Sequence, residues 1–438
     1  MSALRIAPAP WGGAVAAPPS KSIAHRAVLA AALAQGGSRV RGVELSQDIL
    51  ATVGAVRALG AAVIAEHRQD GLVDLAIEGL TPEFGGPLPG IDCGESGSTL
   101  RFLIPVALAA RGGGVFRGSA RLAQRSLGPY FDLFSSMGIL TKRGEAPEAP
   151  SWPLTMQGRL GGASGVYAMS GNVSSQFFTG LMLALPLAAG QHTVRSVGPM
   201  ESLPYVDITI SVLADFGVRV ETVRRGVEYR IDGGQLYKAH DMSIEGDWSQ
   251  AAYPLLGGAL GRGVAVSGLK PHSVQGDRAV ERILKDMGAD LRWDGDALVA
   301  APSQLHGIEV DVSDCPDLAP AVAAAMAVAR GVGRIRGGAR LRDKESDRIA
   351  AIAGVVRALG GDAAETTDGL IIVGRERLRG GECDACNDHR IAMMAAALAS
   401  RCEGEVILNG HTAVDKSWPG FWAAVAQLGG RIDEQQLG

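Results

Sequence analysis

Six times along its length, the chain closes a helical apolar pattern with an apolar residue and a glycine, then enters a short apolar strand. The segments are AVRALGAAV, LFSSMGILT, VLADFGVRV, ILKDMGADL, VVRALGGDA and AVAQLGGRI, with glycines at Gly60, Gly138, Gly217, Gly288, Gly360 and Gly429. The spacing is about 70 to 80 residues, which marks a repeated supersecondary unit. A glycine just past a helical stripe is a C-terminal stop signal, so each segment reads as the end of a helix and the start of a strand. Between these lie six Ala- and Leu-rich helical segments, from SIAHRAVLAAALAQGG to HRIAMMAAALASRCEG, each leading through a glycine-containing turn into a β-like run. Each unit therefore combines two helices with three or four short strands, an α/β pattern rather than a helical solenoid.

At 438 residues the chain is long enough for two domains with substantial cores. Its formal net charge of −4 argues against a nucleic-acid surface and leaves room for a local basic pocket that takes a small anion. No apolar run approaches a membrane span and no signal peptide is apparent, so a cytoplasmic location is expected. The 5 cysteines form no disulfide framework. Cys383 and Cys386 are a lone C-x-x-C without the second pair a zinc site would want, so no metal is expected.

Cations recur where helices are expected to start, as in Lys21, Arg125, Lys344, Arg390 and Lys416. A cation is disfavoured at the positive end of a helix dipole unless an anion sits beside it. Pro18-Pro19-Ser20-Lys21-Ser22 followed by Arg26 reads as a capped start with two cations about a turn apart. Gly94-Glu95-Ser96-Gly97-Ser98-Thr99 resembles an anion loop but lacks the lysine of a nucleotide triphosphatase. Arg125 is read at a helix entry, from where it could hold a carboxylate or phosphate through two bonds. Ser174, Ser175 and Gln176 offer hydroxyls, an amide and free backbone donors suited to a phosphate monoester, and Ser202 follows the same pattern.

The run Arg340 to Arg348 precedes a helical stripe, with Ser346 and Asp347 as start residues. A helix including both Lys344 and Arg348 would put them on one face, with Glu345 beside them for proton transfer. Asp317, after Pro316, is either a helix cap or an acid/base group, and the local pattern favours the cap. His389 is read as equally structural or catalytic.

In the order PPSKSIAHR, GESGSTLRFL, NVSSQFFTGLMLALPLA, ESLPYVDIT, IEGDWSQAAY, DKESDRIA and CNDHRIAM, these motifs resemble the 3-phosphoshikimate 1-carboxyvinyltransferase family of enolpyruvyl transferases, from about Lys21 to Lys416. The resemblance implies two similar domains of three βαβαββ units each, residues 20–243 and residues 1–19 with 244–438, with the substrates in the cleft between them. It implies transfer of the enolpyruvyl group of phosphoenolpyruvate to shikimate 3-phosphate, in aromatic amino-acid biosynthesis, by a monomer that uses no cofactor, nucleic acid or membrane. Matching positions imply Lys21, Ser22, Arg26, Ser174, Ser175, Gln176, Ser202, Asp317 and Lys344 for phosphoshikimate. Lys21, Gly97, Arg125, Gln176, Arg348, Arg390 and Lys416 would hold phosphoenolpyruvate. Asp317, Glu345 and Lys21 would carry the proton transfers. Gly97 implies inhibition by glyphosate, which a larger side chain there would crowd.

Two positions depart from the family pattern: Glu95 and Arg340 each stand where many members have Asn. Among rivals, the sister enzyme acting on UDP-N-acetylglucosamine usually carries Lys-Asn where this chain has Lys21-Ser22, and a cysteine in the loop that here runs from Arg121 to Arg125. An RNA 3′-phosphate cyclase fits neither the acidity nor the missing nucleotide motifs.

Overall fold

The computed structural model describes residues 2–144, 152–161 and 164–436. Its secondary structure forms six four-stranded sheets, each with one parallel and two antiparallel pairings, and in three of them the chain runs without a break through strand, helix, strand, helix and hairpin. One repeat shows the logic. Strand Glu309–Asp311 leads through helix Ala319–Ala327 to the parallel strand Val332–Arg336, and helix Arg348–Ala358 then leads to the antiparallel pair Asp362–Glu365 and Leu370–Val373. The parallel pair needs a helical crossover because its strands run the same way, whereas the antiparallel pair closes with a short turn.

The six marker glycines hold this pattern in register. All have positive φ, from 73° at Gly138 to 103° at Gly60, and each follows the second helix of its repeat. An L-residue would be strained in that left-handed conformation, which lets the chain leave the helix and turn straight into the next strand. The first helix of each repeat is buried nearly all round and rich in alanine, as in Lys21–Leu33, Ala319–Ala327 and His389–Ala399. Small side chains let such helices pack closely. At Gly180, a Cβ would run into the Tyr130 hydroxyl and the Arg101 carbonyl oxygen, so the Ser175–Ala184 and Gly97–Arg111 helices can approach only because that position is glycine.

The chain divides into two compact units, Pro19–Ile244 and Met1–Pro18 with Glu245–Gly438. Three strands complete sheets far from them in sequence. Ser2–Ala7 lies between Val406–Asn409 and Arg431–Gln436, Gly13–Ala16 pairs in parallel with Val264–Ser267, and Met242–Ser243 pairs in parallel with Gly37–Val43. Each unit thus holds three complete repeats around its own apolar core. Among the described residues, no helix is long and apolar enough to cross a membrane.

Candidate active site

In the unit of residues 19–244, three helix starts carry the expected groups. Lys21 opens the Lys21–Leu33 helix, and its ammonium lies 2.7 Å from Asp48 Oδ2 on the Gln47–Ala58 helix. Ser22 is next in the chain, and its carbonyl accepts a bond from Arg26 Nη1 at 2.7 Å. The remaining Arg26 donors go to neutral oxygens: Thr209 Oγ1 at 2.8 Å, Thr179 Oγ1 at 3.2 Å and the Tyr205 carbonyl at 3.0 Å. No carboxylate lies within ion-pair distance of this guanidinium among the described residues. Burial pushes it down to about 9, so it stays charged at neutral pH while lacking a counter-anion.

At the second start, Ser96 caps the Gly97–Arg111 helix by accepting from Thr99 N. Gly97 is buried against the Arg125 guanidinium, which occupies the space a Cβ would need. At the third, Ser174 caps the Ser175–Ala184 helix, and the Gln176 side chain ties that helix to Gly97–Arg111. Its Nε2 donates to Ser98 Oγ at 2.9 Å, while its Oε1 accepts from Arg101 Nη1 at 2.8 Å. Arg101 also donates to the Ser126 carbonyl at 3.0 Å, tying down the loop that carries Arg125. Ser202, buried at the start of Leu203–Asp215, has φ of 52°, and its side chain makes no cap bond.

The other unit gathers its groups around Asp317. Arg348 Nη1 donates to Asp317 Oδ1 at 2.8 Å, Arg390 Nη2 donates to Oδ2 at 2.9 Å, and Lys344 Nζ stands 3.6 Å from Oδ1. Burial disfavours the charged carboxylate, but Arg390, Lys344 and Arg348 outweigh it and hold Asp317 well below the usual carboxylate range. Arg348 is itself gripped from behind. Its Nε donates to Asp388 Oδ2 at 2.7 Å and its Nη2 to Oδ1 at 3.3 Å, and Glu345 Oε2 lies 3.6 Å from Nη2. Burial works against this guanidinium's charge, yet Asp388, Asp317 and Glu345 more than compensate and keep it firmly protonated.

Asp388 also caps the His389–Ala399 helix, accepting from Arg390 N at 3.0 Å, and Ser346 Oγ donates to it at 3.1 Å. His389 Nδ1 is 2.8 Å from Glu345 Oε2. Glu345, Asp388 and His389 bring metal-ligand atom types within 4.8 Å of one another, but Arg348 already supplies the positive charge there. Lys416 Nζ donates to the Asn387 carbonyl at 2.8 Å, in a loop where Cys386 and Asn387 both have positive φ.

Several expectations need correction. Asp317 does not cap a helix: it sits in the 3-10 turn Pro316–Leu318 and spends its carboxylate on three cations, a tertiary demand invisible to local pattern. Lys344 and Arg348 share no helical face, because the helix begins at Arg348 with Asp347 as its cap; they meet at Asp317 from different backbone segments. Arg125 ends the short helix Ala120–Gln124 instead of opening one. Lys416 closes the 3-10 segment His411–Lys416 and likewise marks no helix start. Arg340 is buried and donates to the Ser313 carbonyl at 3.3 Å.

Sequence reasoning passed over Arg101, Asp48 and Asp388. Arg101 stands four residues after Gly97 on one helix face, a signal that was available; Asp48 had no motif around it.

The family model of EPSP synthase (3-phosphoshikimate 1-carboxyvinyltransferase) matches residues 7–425. The chain is 43% identical over 441 residues to a 3-phosphoshikimate 1-carboxyvinyltransferase of Clostridium kluyveri and 39% identical over 438 residues to that of Clostridium acetobutylicum, with 100% of each chain covered. Among solved structures, an EPSP synthase from Acinetobacter baumannii superposes with a TM-score of 0.80 at 28% identity, covering 100% of both chains. An enolpyruvyl transferase from Streptomyces tendae shares the fold, with a TM-score of 0.79 at 18% identity over 100% of this chain and 99% of the other. The arrangement of cations and carboxylates described above therefore belongs to a chain that is a member of the EPSP synthase (3-phosphoshikimate 1-carboxyvinyltransferase) family.

Proposed function

We propose that the chain transfers the enolpyruvyl group of phosphoenolpyruvate to the 5-hydroxyl of shikimate 3-phosphate and releases phosphate. The observation that carries this reading is the ionised Asp317 carboxylate beneath Arg348, Arg390 and Lys344, with Glu345 attached to the same Arg348. Addition of the hydroxyl oxygen to C2 of phosphoenolpyruvate requires loss of the hydroxyl proton and gain of a proton at C3, giving a tetrahedral ketal. Collapse then returns the C3 proton to the protein and breaks the bond from C2 to the phosphate oxygen. Two carboxylates and an ammonium suffice for these transfers.

In this reading Asp317 takes the hydroxyl proton, Glu345 delivers and recovers the proton on carbon, and Lys21 assists either transfer. Asp317 is ionised and can only accept, which suits a base. Its pairing also makes it a weak base before substrate arrives. Substrate anions that draw Arg348, Arg390 and Lys344 toward themselves would loosen that pairing and raise its proton affinity. Phosphoshikimate would be held by Lys21, Ser22, Arg26, Ser174, Ser175, Gln176, Ser202, Asp317 and Lys344. Phosphoenolpyruvate would be held by Lys21, Gly97, Arg125, Gln176, Arg348, Arg390 and Lys416. Lys21, Arg26, Arg125, Lys344, Arg348, Arg390 and Lys416 give enough positive charge for two multiply charged ligands in a net acidic protein. The proposal includes a monomer acting in the cytoplasm.

Phosphate release from phosphoenolpyruvate, measured with shikimate 3-phosphate and separately with UDP-N-acetylglucosamine, tests the reading. Release with the first acceptor is expected. Release with the second alone would overturn it.

A further inference from the structure

Beneath the helix starts of the 19–244 unit runs a chain of neutral groups with no place in the chemistry above. His25 Nδ1 lies 2.7 Å from Thr52 Oγ1, Thr52 Oγ1 lies 2.7 Å from Thr99 Oγ1, and Thr99 Oγ1 donates to Ser96 Oγ at 2.7 Å. All four residues are at most 1% exposed. They come from three elements: His25 from the first turns of Lys21–Leu33, Thr52 from Gln47–Ala58, and Ser96 and Thr99 from the start of Gly97–Arg111.

Spacing relates this chain to the site. His25 is four residues after Lys21 and Thr52 is four after Asp48, so the Lys21–Asp48 ion pair and the His25–Thr52 bond are successive rungs between the same two helices. The last link is the residue that caps the helix of Gly97.

The direction of the hydrogen bonds can also be read. His25 Nε2 is buried with no hydrogen-bond partner among the described residues. Placing the proton there would orphan a buried donor, which costs more than leaving an acceptor unmet, so the proton belongs on Nδ1 and is donated to Thr52. Thr52 then donates to Thr99 and Thr99 to Ser96, all toward the Gly97 helix. The ring stays neutral: burial lowers His25 to about 3, with Lys21 and Arg26 adding to the effect and Asp48 opposing it. A neutral tie fixes the spacing of two anion-binding helix ends without adding charge that would compete for the ligands.

We propose that His25, Thr52 and Thr99 are positioning residues that set the distance between the Lys21–Ser22 and Gly97–Ser98 helix starts, and through it the joint hold on both substrates. The proposal rests on the enolpyruvyl-transfer reading. Without such a tie the two starts keep the part-buried Lys21–Asp48 ion pair and the stacking of Arg26 on the Phe102 ring, which tolerate small slides that short, directed hydrogen bonds between buried groups do not.

The test is steady-state kinetics on Thr99→Val, Thr99→Ser, His25→Leu, His25→Asn and the double variant His25→Leu/Thr99→Val. Thr99→Val keeps the volume and removes the hydroxyl, so it decides the matter even if His25→Leu does not fold. We expect Thr99→Val and His25→Leu each to raise KM for phosphoenolpyruvate about five- to tenfold, the worth of one hydrogen bond. Thr99→Ser and His25→Asn should return it to within about twofold, by retaining a donor at the same place. The double variant should be no worse than either single one, because both break one tie. Normal KM and kcat in folded Thr99→Val would overturn the proposal. So would a serine variant as impaired as the valine variant, since packing alone would then explain the loss. If the unmodified protein releases no phosphate with shikimate 3-phosphate, the functional reading fails instead, which separates the two outcomes.

Discussion

Arg26 and Arg348 are both buried guanidinium groups, 2% and 1% exposed, and each belongs to the site of its own unit, yet their surroundings are opposite. Arg26 donates only to hydroxyls and carbonyls, and burial lowers its pKa to about 9. Arg348 touches Asp388, Asp317 and Glu345, which hold it above its ordinary value. The first is a positive charge still seeking an anion; the second is already neutralised. In the proposed reading both units bring cations to the ligands, but only the second brings the carboxylates Asp317 and Glu345, whose proton affinity can be adjusted. Substitutions in the two units should accordingly fail in different ways.

The largest expected effect is on turnover. Asp317→Asn and Glu345→Gln should each lower kcat about 10²- to 10⁴-fold, the usual contribution of a positioned acid or base, with smaller changes in KM. Arg26→Met should instead raise KM for shikimate 3-phosphate and leave kcat less affected. Single-turnover kinetics with both substrates bound would check the split. Near-normal turnover in either carboxylate variant would break the comparison.

Next comes stability. Asp388→Ala leaves the buried Arg348 Nε without its acceptor, Arg348 being 2% exposed at its side chain against 0% for Asp388, and also removes the cap of the His389–Ala399 helix, so it should cost about 3–5 kcal/mol in urea denaturation. Arg26→Met removes a charge that no carboxylate neutralises and should cost the unliganded protein less than about half as much. Equal losses would mean that the two guanidinium groups are not in different electrostatic states.

How far the sequence carries differs between the repeat and the site. Gly60 and Gly360 announce their helix ends because a left-handed residue is a local requirement that only glycine meets cheaply. Lys21, Gly97 and Ser174 were readable for a related reason, since helix starts carry local signatures. The local pattern around Asp317 favoured a cap over an acid/base group because its partners lie 31 and 73 residues away, and no local rule sees an ion pair of that span. Asp388 stayed hidden behind its role as a cap, although it also grips Arg348 from 40 residues off. The placement of Ser2–Ala7 in the last sheet depends likewise on a pairing across nearly the whole chain.

Acid should sharpen the comparison further. His25 has a depressed folded-state pKa, so its contribution is complete above the unfolded value of 6.5 and fades as pH falls toward about 3, where protonation of the unfolded chain has cost about 4–5 kcal/mol. Asp317 is also depressed, but from an ordinary value of 3.8, so its contribution survives until pH falls below the usual carboxylate range. The 19–244 unit should therefore weaken first, between pH 6.5 and 4, while the Asp317 cluster still holds. Urea midpoints followed against pH would show it. His25→Asn should flatten that decline and leave the steeper loss below pH 4 in place.

The smallest effect isolates a single side chain. Because Arg125 fills the space a Cβ at Gly97 would take, Gly97→Ala must push the guanidinium aside. What moves is the flexible end of a long side chain, so the fold should lose little and Tm should change by about one or two degrees at most. Arg125 would nevertheless meet an anion from a shifted position, and KM for phosphoenolpyruvate should rise about tenfold, a difference of about 1.4 kcal/mol. Inhibition by glyphosate, expected of the unmodified protein, should weaken as well, since the added methyl takes space beside the same guanidinium. An Arg125→Lys variant separates the two causes: it loses paired hydrogen bonds to a carboxylate or phosphate while leaving the room at Gly97 intact. If Gly97→Ala changed neither KM nor inhibition, the contact between Gly97 and Arg125 would be packing alone, and the anion-binding role assigned to this part of the 19–244 unit would fall.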